Sequence, residues 1–98
     1  MKEIIENLDK VLESRIRLGV MAILMVNDSI DFNELKQMLG LTDGNLASHI
    51  SALEKNKYIK IKKKFVGKKT NTAYSVTDTG KKAFSGHLDT LEKLIKKN

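Results

Sequence analysis

The chain has no cysteine, proline or tryptophan. Without cysteine it has no disulfide, thiolate zinc site or thiol redox sensor. Without proline or a Gly/Ser-rich stretch it offers no obvious linker, so its 98 residues read as one domain, 1–98, with a modest core. Long apolar runs are also missing. The longest, Leu18 to Val26, falls short of the roughly 20 residues that span a bilayer and lies too far inside the chain for a signal peptide. The expected location is cytoplasmic. Aromatics are few: Phe32, Phe65, Phe84, Tyr58 and Tyr74 mostly fit core positions, leaving little to stack on single-stranded nucleic acid. No glycine-rich phosphate loop or metal-binding helix signature is present, and His49 and His87 stand far apart, so neither an enzyme nor a cofactor or metal site is expected.

What is abundant is lysine, and it is unevenly placed. Residues 1–54 carry 5 basic and 9 acidic side chains and residues 55–98 carry 13 and 3, so the halves are −4 and +10. Between Lys55 and Lys69 there are eight lysines and no acid. Such a run is either a solvated face or a surface for a polyanion. What precedes it favours the polyanion.

Residues 33–56 have the pattern of two helices around a tight turn. Leu35, Met38 and Leu39 share one face of the first, and Gly40 permits a sharp exit. Thr42 is placed to cap the second, in which Leu46, Ile50 and Leu53 recur at i, i+4 and i+7. The opposite face of the second helix is Gly44, Asn45, Ser48, Ser51 and Lys55, short and polar, as approach to base edges requires. Asn45 is the best candidate for direct readout, since an amide pairs with adenine N6 and N7; its alternative is a capping role in its own helix. After Tyr58 the period becomes alternating. Ile59, Ile61 and Phe65 point one way and Lys60, Lys62 and Lys64 the other, a polar turn covers 67–72, and Tyr74 and Val76 return inward, so 59–76 reads as a β-hairpin.

The remaining segments frame this motif. Ser14 reads as the cap of a central helix from Arg15 to Val26, apolar nearly all round and therefore buried. Ile30 and Phe32 flank Asp31 in a short strand, with Asp31 or Asn33 capping the helix that follows. At the ends, 1–12 (Ile4, Ile5, Leu8, Val11, Leu12) and 78–97 (Phe84, Leu88, Leu91, Ile95), the latter capped by Thr77, read as amphipathic helices. Their stripes exceed what so small a core covers, so Ile4, Leu8 and Val11 are expected to meet Phe84, Leu88, Leu91 and Ile95 of a second copy in a homodimer; the alternative is that both helices fold back on their own domain. His87 is expected at the surface or in that interface.

SRIRLGVMAIL, FNELKQMLGLTDGNLASHISALEKNKYI and FVGKKTNTAYSVTDTGKKAF together resemble the MarR/ArsR-type winged helix-turn-helix regulators, especially the short winged-helix DNA-binding domain proteins. The resemblance runs from about Ser14 to Phe84. It implies a mainly α fold with a small β-hairpin: a three-helix core, a wing and terminal dimerisation helices. It also implies a dimeric regulator of transcription that binds double-stranded DNA. By position, Asp43, Gly44, Asn45, Ser48 and His49 would then read bases. Thr42, Ser51, Lys55, Lys62, Lys64, Lys68 and Lys69 would meet the backbone or, at the wing tip, the minor groove. The family often carries arginine at the wing tip where this chain has lysine, a hydrated point charge that discriminates less between bases. The rival reading is a winged-helix module for a protein or RNA partner.

Overall fold

The computed structural model describes residues 1–67 and 69–96, with only the backbone for 64–66, 69 and 70. The order of elements is α1 (Lys2–Glu6), a 3₁₀ turn (Lys10–Leu12), α2 (Arg15–Met25), β1 (Ile30–Asp31), α3 (Phe32–Leu39), α4 (Asp43–Lys55), β2 (Ile59–Val66), β3 (Lys69–Val76) and α5 (Asp78–Lys96). This is the expected mainly helical fold with a small antiparallel sheet, whose strand order is β1-β3-β2.

Local chemistry sets the starts of the helices. Ser14 Oγ accepts from Arg17 N at 3.2 Å, an Asp31 carboxylate oxygen from Glu34 N at 2.7 Å, Thr42 Oγ1 from Asn45 N at 3.2 Å and Thr77 Oγ1 from Gly80 N at 2.9 Å. Each such cap is worth about 1 kcal/mol. Asp31, not Asn33, caps α3, and Phe32 is already helical, so β1 has two residues.

Leu12, Val20, Met21, Leu24, Leu35, Leu46 and Leu53 are fully buried and form the core with Ile50, Ile59, Tyr74 and Phe84. Four expectations need correction. The central helix is not buried all round: Val20, Met21 and Leu24 are, while Ala22 is exposed and Val26 is 81% exposed, because a domain this small has no second layer to cover the outer face. Residues 1–12 are not one helix. Asp9 accepts from Val11 N at 2.9 Å, a local bond that replaces helical ones and starts the 3₁₀ turn. Leu8 therefore lies in a link and half-buried Val11 packs on the chain's own core, while α1, with Ile4, lies on α5 of the same chain. Phe84 belongs to that core too, 9% exposed. His87 is 5% exposed, with no surface or interface position.

In the hairpin, Ile59 pairs with Val76, Ile61 with Tyr74 and Lys62 with Ala73. Ile59 is buried at 3% exposure whereas Ile61 is 45% exposed, so β2 leaves the core within one alternation. Beyond that point the hairpin projects.

Candidate nucleic-acid interface

The tight turn before α4 closes through Gly40, at φ 63°, with Gly40 N donating to Gln37 O at 3.3 Å and Leu41 N to Lys36 O at 3.0 Å. This double closure satisfies the last carbonyls of α3 and lets the chain reverse without strain. Helix α4 then buries Leu46, Ile50 and Leu53. On its other side Gly44, Asn45, Ser48, Ser51 and Lys55 are all exposed, as is Thr42 at its start. Ala47 is exposed with them. The sequence reading passed over it, although it stands three residues from Gly44 and four from Ser51, on the same face. Among the described residues the Asn45 amide and the Ser48 and Ser51 hydroxyls have no hydrogen-bond partner, and the cap of the helix is Thr42. Asn45 does not cap its own helix.

The hairpin follows this helix directly, β2 starting at Ile59 after α4 ends at Lys55. Lys60, Lys62 and Lys63 are exposed, and Lys64 is paired in register with Asn71. Asn71 Nδ2 donates to Asp31 Oδ2 at 3.1 Å, fastening β3 to the start of α3. The Glu34 N–H holds the Asp31 carboxyl below its ordinary value, so it stays ionised as cap and anchor at once. The side chains of Lys64 and Lys69, and Lys68 altogether, lie outside the described residues.

Residues 16–95 match the family model for the winged helix DNA-binding domain. The chain belongs to that family. It is 32% identical over 87 residues to an uncharacterised protein of Methanocaldococcus jannaschii, covering 89% of this chain and 95% of that one. Its structure is similar to that of a transcriptional regulator homologue from Pyrococcus horikoshii, with TM-score 0.84, 33% identity and coverage of 97% and 92%. It is also similar to a regulator of the MarR family from Porphyromonas gingivalis, with TM-score 0.68, 22% identity and coverage of 91% and 85%. The MarR-type winged helix fits, and the hairpin is the wing. No helix among the described residues is long and apolar enough to cross a membrane.

Two of the expected base-reading residues of this winged-helix domain have partners of their own. The exposed Asp43 carboxylate lies 2.8 Å from Nζ of half-buried Lys36, an ion pair across the turn. His49 is half-buried, its Nδ1 3.1 Å from Arg17 Nη1, and Arg17 Nε donates to Val11 O at 2.6 Å. Burial and then the Arg17 charge lower the His49 pKa, which keeps Nδ1 available as an acceptor.

At the far end of α4 the winged helix has a joint that sequence reasoning missed. Lys57 takes the left-handed conformation, φ 62°, while Lys57 N donates to Glu54 O at 2.9 Å and Tyr58 N to Leu53 O at 3.0 Å. This is the closure seen at Gly40, with a lysine in glycine's place. Tyr58 O accepts from Thr77 N at 3.0 Å, and the Tyr58 hydroxyl donates to Asp9 Oδ2 at 2.5 Å. Asp9 N donates to His87 Nδ1 at 3.0 Å. Burial, then the bond to Asp9, pushes the Tyr58 pKa up to about 12. Gly80 completes the joint: a Cβ there would sit 2.1 Å from Tyr58 O. Nothing local in the sequence pairs Asp9 with Tyr58 or His87.

Proposed function

We propose that this winged-helix domain binds duplex DNA sequence-specifically as a homodimeric regulator in the cytoplasm, with α4 in the major groove and the lysines of the wing on phosphates or the adjoining minor groove. The carrying observation is the exposed face of α4 from Gly44 to Ser51, whose amide and hydroxyls have no partner among the described residues, on a helix that leads directly into a lysine-bearing strand. Asn45 and Ser48 contact base edges and Ala47 suits a thymine methyl. Ile5, Leu88 and Ile95, exposed at 51%, 45% and 73%, with half-buried Leu91, form the apolar surface for the second copy. Val11 and Phe84 pack in the chain's own core, Ile4 lies on α1 against α5 and Leu8 lies in the link after it, so these four are left out of that surface. With one α4 per half-site, the preferred duplex is an inverted repeat with half-sites about 10 bp apart.

Selection from a random duplex pool, followed by titration, tests this. Asn45→Ala should weaken the selected site by roughly 1–3 kcal/mol more than a random duplex. Equal losses on both would move Asn45 to phosphate positioning. Leu91→Glu should give a folded monomer that has lost the selected site's advantage, and an unmodified chain that sediments as a monomer with and without DNA removes the dimer. Tighter binding to single-stranded RNA than to duplex would favour the RNA module instead.

A further inference from the structure

The only two arginines of the chain, Arg15 and Arg17, stand in the first turn of α2, and the reading above uses neither. Arg17 is half-buried and doubly held, by Val11 O at 2.6 Å and His49 Nδ1 at 3.1 Å. Neither partner is an anion, and no carboxylate pairs with Arg17 among the described residues. Half-buried guanidinium groups ordinarily find a carboxylate. Here a full positive charge is fixed in place with three of its five N–H donors unspent among the described residues.

Its location gives the charge a use. At 3.6 residues per turn, His49 lies about 40° around α4 from Asn45 and about 65° from the middle of the Leu46, Ile50 and Leu53 stripe. Arg17 therefore borders the Asn45 edge of the exposed face. A helix seated in a major groove has a phosphate strand along each flank. We propose that Arg17, braced by Val11 O and His49, is a phosphate contact on the duplex strand flanking α4, a third DNA-binding element besides α4 and the wing. It rests on the seating of α4 in the major groove. Arg15, about 200° around α2 and exposed, points elsewhere and makes an equal-charge control.

The test is the salt dependence of binding to a labelled random-sequence duplex, using the full chain. Each phosphate contact contributes about 0.9 to the log–log slope, so Arg17→Gln should lower its magnitude by about 2 in a dimer. Arg17→Lys should keep the slope, and Arg15→Gln should leave it unchanged. A steep wild-type slope that survives Arg17→Gln in a folded protein overturns the proposal and leaves Arg17 a packing tie. A wild-type slope near zero overturns the duplex-binding reading and this proposal with it. Should Arg17→Gln fail to fold, the Nε–Hε resonance of Arg17 in 15N-labelled wild type decides. Perturbation by the duplex that reverses at high salt supports the contact, and an unmoved resonance overturns it.

Discussion

The outer face of α4 and the joint around Tyr58, just past the end of that helix, treat their polar groups in opposite ways. At the joint every polar group named above is satisfied inside the chain: Tyr58 by Asp9 and Thr77, Asp9 by Tyr58, Val11 and His87. On the outer face the Asn45 amide and the Ser48 and Ser51 hydroxyls have no hydrogen-bond partner among the described residues. Buried polar groups cost stability unless bonded, whereas exposed ones are satisfied by water and exchange it for a partner. The joint fixes where α4 ends, and the outer face stays available.

Exchanging glycines tests the contrast most severely. Gly80→Ala would drive a methyl into the Tyr58 carbonyl at 2.1 Å, and we expect a loss of about 3 kcal/mol in urea denaturation. At Gly44 a Cβ meets nothing within 4 Å, so Gly44→Ala should add about 0.5 kcal/mol of helix stability rather than cost any, while altering DNA affinity. If both cost the same, the two regions do not differ as described.

Tyr58→Phe leaves Asp9 Oδ2 without its donor and should cost about 1–3 kcal/mol. Because the folded value is raised to about 12 from 10.0, the Tyr58 contribution is present below pH 10 and lost as pH rises toward 12; the Phe variant should lack that alkaline loss. His49 runs the other way. Its folded value lies below 6.5, so stability present above pH 6.5 should fall as the solution is acidified below it, a slope that His49→Gln removes. At Lys57, Lys57→Gly relieves a left-handed lysine and should stabilise by up to about 1 kcal/mol in the same denaturation series.

Much of this was legible in advance because its causes lie within four residues. Ser14, Asp31, Thr42 and Thr77 cap the helices they precede, Gly40 makes the turn, and the change from helical to alternating period at Tyr58 marks the wing. The exposed strip of α4 followed from the spacing of Leu46, Ile50 and Leu53, yet Ala47 was passed over because a small apolar residue carries no signal of exposure. Phe84 read as interface because periodicity shows which side of a helix is apolar and not what covers it.

The sequence by itself determined the helices from α2 to α5, most of their caps, the reversal at Gly40 and the segregation of lysine into the second half, since each depends on neighbours along the chain. Tertiary structure alone decided the seat of His87 and the bracing of Arg17. Asp9 and His87 are 78 positions apart, and Arg17 and His49 32, in segments whose periodicity reports burial but not identity of partner. Which polar group meets which is settled when the faces close and each buried donor must find an acceptor.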